Sequence, residues 1–323
     1  MRAFVTGGTG FVGAHLVRAL LDRGDEVTCL VRNPARAQAQ GWTAVRTVPG
    51  DLADDNALRR GCDGADVVFH VAGAIAALDA ADFMAKNRDA TANVLEAAQE
   101  SPPRRFLYVS SRAAAGPNSP GRPADETHPA TPATDYGRSK LAAEGLVRAA
   151  PFPWTIVRPP VVYGEWDREV LKVFRAARIG VAPVFAGGRQ ELSVIYAGDL
   201  ARALIAAATA PAAQGRLYYA AHPESVTSGA FVRAIGHAAG RARVRLVPIP
   251  DVVARGLLGI VGGVAHLAGR VTILSADKAN EFLAPAWTCR SDAITRDTGW
   301  KAGVSLQDGL RRTAEWYREK GWI

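Results

Sequence analysis

The chain has 323 residues, 48% of them hydrophobic and 22% charged, which is enough for one large domain or two unequal domains, each with its own core. Its formal net charge of +8 does not indicate binding to nucleic acid, because the arginines are scattered along the chain and form no basic run. Cys29, Cys62 and Cys289 lack the spacing of a disulfide framework or a metal site, which favours a reducing cytoplasm and no bound metal.

The first predicted strand, residues 3–5, runs into a glycine-rich turn at 6–13 and a helical pattern at 11–21. A strand, a tight glycine turn and a helix start make a cradle for a pyrophosphate: one glycine allows the turn, the next lets the backbone approach the phosphates, and the third lets the helix lie close to the strand. Such a spacing also recurs by chance in glycine-rich chains, but here it follows the first strand directly. We predict a dinucleotide site that includes Gly7, Gly10, Phe11, Val12 and Gly13.

A second strand is predicted at 26–31, and the residues after it bear on the choice of dinucleotide. An acidic residue at this place binds the 2′-hydroxyl of the adenosine ribose, whereas an arginine suits a 2′-phosphate. Arg32 stands here, with Arg36 one helical turn on, and a guanidinium group fits a phosphate dianion. The sequence therefore favours NADP(H) and leaves NAD(H) open. The alternative is that Arg32 only caps an exposed strand end.

The third predicted strand, residues 42–48, closes on a Pro-Gly turn followed by Asp51 and Leu52. Asp51 is placed to reach the adenine amino group while Leu52 packs on the ring, although an aspartate in such a turn also serves as a helix N-cap. A short helix is predicted at 54–60.

Next come a buried strand at 66–71, a helix at 82–99 and a strand at 105–109 that ends at Ser110 and Ser111. His70 borders an apolar strand and is interpreted as a core histidine, while Ala72 beyond the strand end is predicted to lie at the cofactor. Strands and helices that alternate at this spacing predict an α/β fold with a doubly wound parallel sheet, the Rossmann fold, which binds its ligand at the carboxyl ends of the strands.

A long loop at 113–134 leads into a predicted helix that runs to about residue 148 and carries Tyr136 and Lys140. Side chains four residues apart lie on one helix face, and an ammonium beside a phenol lowers the pKa of the phenol, which suits proton exchange near neutral pH. Ser111 is placed to hold the reacting oxygen. A Tyr-x-x-x-Lys spacing also occurs by chance in helices, but here it accompanies the glycine turn and a serine at a strand end. We predict Ser111, Tyr136 and Lys140 as the catalytic residues, the last two also binding the cofactor.

A sixth strand at 152–157 is followed by two prolines, which force an extended path and place the backbone of Pro160 and Val161 near the nicotinamide. Most of the later elements are assigned to a smaller, mixed α/β substrate-binding lobe. The later elements are helices at 168–178, 199–209, 228–240 and 305–320, and strands at 192–196, 216–219 and 244–247. The predicted division gives residues 1–160, joined by roughly 190–220, to the dinucleotide-binding domain, and residues 161–189 and 221–323 to the lobe.

An apolar segment at 252–267 is too short to span a membrane, since about 20 residues are needed. It predicts a helix packed in a pocket wall, in preference to an element on a membrane surface. Trp166, Phe185, Phe282 and Trp287 hint at a hydrophobic pocket, although core packing explains each equally well.

Together these motifs resemble the extended short-chain dehydrogenase/reductase family, which includes the NAD-dependent epimerases and dehydratases. The resemblance covers about the first half of the chain and implies the catalytic and cofactor roles given above, with Lys140 holding the nicotinamide ribose. It also implies that Asn87, on the predicted helix at 82–99, lies near the cofactor and that Asp199 serves as a structural aspartate. Residues 108–119 are similar to the 3-beta-hydroxysteroid dehydrogenase and dihydroflavonol reductase branch. The chain departs from the sugar-nucleotide epimerases at Arg32, where they usually carry an acidic residue, and at Ala113, where many have Thr or Ser.

The function predicted from these observations is hydride transfer between NADP(H) and a carbonyl or secondary alcohol of a small, hydrophobic substrate. Two alternatives stay open: an NAD-dependent nucleotide-sugar epimerase or dehydratase, and a protein that binds the dinucleotide as a sensor without catalysis. Substrate identity and oligomeric state, a homodimer included, are open at this stage.

Overall fold

Within residues 1–38 and 40–323, which the computed structural model describes, seven parallel strands form a main sheet. In chain order the strands of the protein are β1 (Arg2–Thr6), β2 (Glu26–Val31), β3 (Val45–Pro49), β4 (Val67–His70), β5 (Arg105–Val109), β6 (Trp154–Arg158), β7 (Val161–Tyr163), β8 (Val181–Val184), β9 (Glu191–Tyr196), β10 (Arg216–Tyr219), β11 (Ser225–Thr227), β12 (Arg245–Pro248) and β13 (Ala286–Trp287).

The helices alternate with these strands through the first part of the chain and dominate its end. They are α1 (Phe11–Asp22), α2 (Pro34–Gln38), α3 (Asp55–Cys62), α4 (Ala80–Phe83), α5 (Ala90–Glu100), α6 (Asp135–Arg148), α7 (Glu169–Ile179), α8 (Ala197–Thr209), α9 (Ser228–Ala238), α10 (Asp251–Leu267), α11 (Ala276–Phe282), α12 (Asp292–Thr298) and α13 (Leu306–Glu319). A π-helical turn, Met84–Asp89, joins α4 to α5, and short 3₁₀ turns occur at Arg112–Ala114, Ala186–Gly188 and Pro211–Ala213.

The main sheet has the strand order β10-β6-β5-β4-β1-β2-β3. The chain moves outward from β1 to β3 and then returns to place β4 on the other side of β1, so the strand order reverses between β1 and β4. A ligand crevice opens at the carboxyl ends of the strands at such a point. The predicted α/β class with a doubly wound parallel sheet is confirmed.

Local sequence explains why the central strands form here. Every residue of β4 and β5 is buried, as are four of the five in β1, which fits strands covered on both faces by helices. Strands β2, β5 and β10 have the predicted bounds, whereas β3 begins at Val45 and not at Trp42. The helix predicted at 82–99 is present in three consecutive pieces, α4, the π-helical turn and α5.

A smaller sheet lies beside the main one and contains β11, β9 and β13, with β7 paired to β9. Strand β9 was expected with the dinucleotide-binding domain but belongs to this sheet, because β7, which leaves the main sheet after the two prolines, pairs with it in parallel. Helix α8 and strand β10 return to the main sheet, where α8 packs on α1. The division of the chain into two lobes stays a prediction.

Helix α10 forms over the predicted apolar segment, but the expectation that it packs in a pocket wall is wrong. Only Ala254 and Leu258 are buried among its described side chains, while Val252 is 84% and Leu267 88% exposed. The helix therefore packs against the protein, at α11, only along the narrow line of Ala254 and Leu258. None of the helices in residues 1–38 and 40–323 combines the length and apolar character that crossing a bilayer requires.

Candidate active site

The glycine turn after β1 fits a pyrophosphate. Gly7 has a φ of +74°, and a Cβ there would lie 2.7 Å from the backbone nitrogen of Ala72, the residue that follows β4 by two positions. At Gly13 a Cβ would lie 2.1 Å from the carbonyl oxygen of Gly7. Larger residues at either position would therefore fill the cradle or push α1 off the turn. Ala72 is thus brought to the glycine turn, as predicted for the cofactor site.

Helix α1 begins at this turn with Gly10 as its N-cap. No side chain caps the helix, and its first turn holds no acidic residue. Its first N–H groups and the positive end of its dipole, at Phe11 and Val12, therefore suit a phosphate. This observation, together with the glycine cradle, shows that the residues present fit a dinucleotide.

Arg32 and Arg36 are both exposed at the carboxyl end of β2, one strand away from the glycine turn. Neither forms an ion pair with the acidic residues of the described chain, so both guanidinium groups are available to an anionic ligand. Their position fits a ribose 2′-phosphate, and the role stays a prediction.

Asp51 and Leu52 follow β3. Asp51 accepts a hydrogen bond from the backbone nitrogen of Ala53 at 2.8 Å and remains exposed, while Leu52 packs partly against the core. Asp54 and not Asp51 is the N-cap of α3, since its Oδ1 accepts from the nitrogen of Ala57 at 2.9 Å. The capping alternative for Asp51 is therefore wrong, and its carboxylate stays available at the crevice.

His70 lies in the interior, as interpreted from the sequence. Its Nδ1 is 2.7 Å from Thr6 Oγ1 and its Nε2 is 3.0 Å from Thr91 Oγ1. Burial lowers the pKa of His70 to about 3, and the charge of Lys140 adds to the effect. The ring is therefore neutral and ties β1 to the helix that carries Asn87.

Asn87 is buried in the π-helical turn. Its Oδ1 accepts from the backbone nitrogen of Ala74 at 2.7 Å, and its Nδ2 donates to the oxygen of Ala74 and, at 2.9 Å, to Ser139 Oγ. Asn87 thus fixes the loop after β4 against α6. Its contact with the cofactor stays a prediction.

Tyr136 lies in the first turn of α6, and Thr134 caps that helix through the nitrogen of Gly137. The phenol is partly buried and lies near the hydroxyl of Ser111, two residues beyond β5. Burial raises the pKa of Tyr136 to about 12; the neighbouring Ser111 hydroxyl opposes this, and the nearby carboxylate of Glu281 adds to it. Ser111 and Tyr136 are therefore brought together, with the phenol held in its protonated form.

Lys140 lies one turn further along α6 and is buried. Its Nζ donates to the carbonyl oxygen of Val109 at 2.8 Å and lies 4.3 Å from the centroid of the Tyr108 ring. Burial lowers the pKa of Lys140 to about 7, while Glu144 opposes the shift. The expectation that Lys140 brings the pKa of Tyr136 toward neutrality is wrong for the chain by itself, because burial raises that pKa and Lys140 is not among the groups that shift it.

A buried ion pair under the site is a feature that sequence reasoning missed. Arg158, the last residue of β6, donates from Nε and Nη2 to the carboxylate of Glu144 at 2.8 and 2.6 Å, and Ser110 Oγ donates to the same carboxylate at 2.5 Å. This network joins the ends of β5 and β6 to α6 and so sets Ser111 relative to Tyr136. Removal of one member of such a pair would leave a buried charge, at a cost of about 3–5 kcal/mol.

Helix α11 brings a second set of unpredicted residues to the site from the smaller lobe. Asp277 Oδ2 accepts from the backbone nitrogen of Asp135 at 2.9 Å, which docks α11 on the start of α6. Lys278 Nζ lies 5.8 Å from the centroid of the Tyr136 ring and 2.6 Å from Glu281. Oppositely charged residues three apart, such as Lys278 and Glu281, are common on exposed helices, so the sequence does not indicate that this pair lies beside Tyr136.

The four aromatic residues proposed for a pocket separate into two groups. Phe185 and Phe282 stack with ring centroids 5.1 Å apart, and Lys278 lies near the Phe282 ring, which places the pair beside Tyr136. Trp166 instead packs on His15, beside α1, and Trp287 is buried next to Arg112. Trp166 therefore lines a cleft between α1 and residues 40–44, and Trp287 belongs to the core, as the packing alternative predicts.

Pro160 and Val161 follow Arg158 at the edge of the site, and both are partly exposed there. The adjoining backbone is held by Arg112, whose nitrogen donates to the oxygen of Pro159 at 2.8 Å. The buried side chain of Arg112 also donates to Asn118 Oδ1 at 2.8 Å and so anchors the long loop that precedes α6. No sequence pattern distinguished this arginine from those on the surface.

Asp199 has the structural role that the resemblance implies. Its carboxylate accepts hydrogen bonds from the backbone nitrogens of Gly303 and Val304 at 3.1 and 2.9 Å. It therefore ties α8 to the segment that leads into α13.

Comparison with known proteins agrees with this arrangement. Residues 3–221 match the NAD dependent epimerase/dehydratase family. The chain is 34% identical to the ceramide reductase of Caulobacter vibrioides over 99% of its own length and 95% of that protein. It is 32% identical to the 3 beta-hydroxysteroid dehydrogenase/Delta 5-->4-isomerase of Mycobacterium tuberculosis over 74% of its length and 70% of that protein. The UDP-glucose 4-epimerase of Thermus thermophilus, solved with NAD, shares the fold, with a TM-score of 0.79 and 23% identity over 98% of this chain and 99% of that one.

A Rossmann sheet with a glycine cradle at its strand-order reversal, and a Ser-Tyr-Lys group at the same edge, defines a dinucleotide-dependent enzyme. The chain belongs to the NAD dependent epimerase/dehydratase family of extended short-chain dehydrogenases/reductases, and its relatives place it with the 3-beta-hydroxysteroid dehydrogenase-like branch. It is an NAD(P)-dependent oxidoreductase.

Proposed function

We propose that this enzyme uses NADPH to reduce a carbonyl group on a small hydrophobic substrate, with Tyr136 as the proton donor. The observation that carries the proposal is the placement of three side chains at the carboxyl ends of the strands: Ser111 lies just beyond β5, the Tyr136 phenol lies beside it, and Lys140 is one turn further along α6. A phenol is protonated at neutral pH and can give its proton to a carbonyl oxygen, and burial, which raises the pKa of Tyr136, favours the protonated form.

Each residue of the site has a separate task in this reaction. A substrate oxygen between Ser111 and Tyr136 would accept hydrogen bonds from both hydroxyl groups, which fixes the carbonyl and stabilises charge that develops on its oxygen. Lys140 would hold the nicotinamide ribose, and the glycine cradle and α1 would hold the pyrophosphate. When bound, the cofactor supplies the hydride. The proton that completes the alcohol then passes from Tyr136 Oη to the substrate oxygen.

A hydrophobic substrate is supported by what surrounds the phenol. The ring of Phe83 lies 6.0 Å from that of Tyr136, and the stacked pair of Phe185 and Phe282 lies on the side of the smaller lobe. Two relatives in this family are named for a ceramide and for a steroid, both lipids.

The test is an absorbance assay of nicotinamide oxidation with long-chain ketones and 3-ketosteroids, run beside UDP-glucose. We expect NADPH to be consumed with at least one of the lipid ketones and with no nucleotide sugar. Purification of the enzyme with tightly held NAD, together with epimerisation of UDP-glucose without net oxidation, would contradict the proposal. Cofactor binding without turnover of any ketone or alcohol would favour the sensor alternative.

Substitution of Arg32 tests the proposed preference for NADPH. We expect Arg32→Ala to raise the KM for NADPH by about 10- to 100-fold, because a charge-assisted hydrogen bond contributes about 1.5–3 kcal/mol, and to leave the KM for NADH nearly unchanged. Steady-state kinetics with both cofactors measure the split. Arg60→Ala, which removes an exposed arginine from α3, is the matched control and should change neither value. Equal effects of Arg32→Ala on the two cofactors would show that Arg32 does not recognise the 2′-phosphate.

A further inference from the structure

Helix α10 exposes an apolar face. Val253, Leu257, Ile260, Val264 and Leu267 follow one another at helical intervals of four and three residues, so they form a single stripe, and all five are between 48% and 88% exposed. The helix meets the rest of the protein along a different seam, at Ala254 and Leu258. The stripe therefore faces away from the protein.

Exposed apolar side chains are concentrated here. In the part of the chain that the structure describes, the large ones lie in three places: the loop after β4, the paired strands β8 and β12 with the end of α7, and residues 252–274. They are Ile75 and Leu78; Ile179, Val181 and Val247; and Val252, Val253, Leu257, Ile260, Val261, Val264, Leu267, Val271 and Leu274. Contiguous apolar patches of this kind mark sites of interaction.

Positive charge accompanies the apolar face. Residues 241–274 contain five arginines and one acidic residue, Asp251, which gives this segment a net charge of +4 out of +8 for the whole chain. Arg243, Arg255 and Arg270 are exposed on the segments that lead into, form and leave the helix. An apolar helix face flanked by arginines is complementary to a bilayer surface that carries anionic headgroups.

The helix also contacts segments that neighbour the active-site residues. Arg255 Nη1 donates to Asn280 Oδ1 at 3.2 Å, and Asn280 Nδ2 donates to the oxygen of Ala133, three residues before Tyr136. At the other end of the helix, His266 Nδ1 lies 3.3 Å from the oxygen of Leu78, in the loop that Asn87 fixes. Contacts at both ends of α10 thus connect it to segments on either side of the catalytic tyrosine.

We propose that α10 is an interfacial helix that binds the surface of an anionic phospholipid bilayer and holds the active-site entrance against it. The apolar stripe enters the boundary between headgroups and acyl chains, and the helix lies in the plane of the membrane. Arg243 and Arg270, which precede and follow the helix, contact phosphate groups, whereas Arg255 is turned toward Asn280. If the substrate is a hydrophobic ketone, which rests on the proposed function, its hydrocarbon part passes from the bilayer to Tyr136 without crossing water.

The glycines of the helix are consistent with this placement. Gly256, Gly259, Gly262 and Gly263 lower helix propensity in water, and at Gly262 a Cβ would lie 3.0 Å from the backbone of Ser275. That glycine allows close packing, but Gly256, Gly259 and Gly263 have no such neighbour. Because these glycines lower the helix propensity of α10, burial of its apolar side chains at an interface would stabilise the helix.

Sedimentation with vesicles tests the proposal on the full-length enzyme without any assay of activity. We expect the protein to bind phosphatidylglycerol/phosphatidylcholine vesicles, and to bind pure phosphatidylcholine vesicles less. The variant Leu257→Gln/Ile260→Gln/Val264→Gln should bind at least tenfold more weakly, because three apolar side chains leave the interface. These positions are exposed, so the fold is expected to survive, which circular dichroism checks. Arg270→Gln should weaken binding about fivefold.

Arg104→Gln is the matched control, since Arg104 is 87% exposed before β5, at the opposite end of the sheet, and should not change vesicle binding. Failure of the wild-type enzyme to bind anionic vesicles would overturn the proposal. Equal vesicle binding by the triple variant would also overturn it. So would a wild-type enzyme that does not bind vesicles and is a dimer, if the triple variant is a monomer, because a second copy of the chain would then cover this face. The vesicle result is independent of turnover, so it can fail or succeed separately from the proposed reduction.

Discussion

Tyr136→Phe is expected to lower kcat for carbonyl reduction by about 10³-fold while cofactor affinity stays within about twofold of the wild-type value. The phenol hydroxyl is the only part removed, and general acid catalysis contributes 10²- to 10⁴-fold. The ring remains to pack against Phe83, so the fold should be preserved. With the proton donor absent, Ser111 would still hold the substrate oxygen, which accounts for a residual rate.

Single-turnover rates with NADPH and fluorescence titration of the cofactor measure the two quantities separately. Tyr218→Phe is the matched control: it removes a hydroxyl that bonds Asp297 at 2.8 Å on the edge strand β10 and should leave kcat unchanged. A Tyr136→Phe enzyme with full activity would show that the proton comes from elsewhere. A loss of cofactor binding as large as the loss of rate would assign Tyr136 to binding only.

The features that the sequence predicted are those with a local signature. The glycine turn, the strand before it and helix α1 are contiguous in the sequence. Each glycine indicates a local backbone conformation, such as the positive φ at Gly7. Tyr136 and Lys140 share one helix, so their spacing alone brings them to one face. The alternation of strands and helices likewise decides the parallel sheet, because a parallel connection needs a crossover helix.

The features that the sequence did not predict depend on contacts between distant residues. Glu144 and Arg158 form their ion pair across α6 and β6, and their residue types in isolation are those of any surface. The exposure of α10 was missed for a related reason: hydrophobicity predicts burial only where a partner surface exists, and periodicity cannot show whether one does. The pKa of Tyr136 depends on how much water reaches the phenol, which spacing does not report.

The buried ammonium of Lys140 lowers the stability of the folded protein. Burial lowers the pKa of Lys140 from its ordinary value of 10.5 to about 7 in the folded protein, so keeping this lysine charged in the folded state costs free energy. Between these values the unfolded chain binds more protons than the folded chain, so this residue makes stability rise with pH from about 7 to 10.5, and below about 7 the full penalty applies.

Lys140→Met is therefore expected to lose activity by about 10³-fold, because Lys140 would no longer hold the nicotinamide ribose, and yet to unfold at higher denaturant concentration. Burial of the Lys140 charge lowers the free energy of unfolding by at most about 5 kcal/mol at pH 6. The substitution removes this cost but leaves the carbonyl of Val109 without its donor. We therefore expect the free energy of unfolding to rise by about 2–3 kcal/mol at pH 6, and by less as the pH approaches 9. Urea unfolding from pH 6 to 9 measures it. Lys172→Met, at a lysine that is 61% exposed, is the matched control and should change stability by under about 0.5 kcal/mol at every pH. A less stable Lys140→Met protein with no pH dependence would mean that the ammonium is well solvated in the fold, and the low pKa would then be wrong.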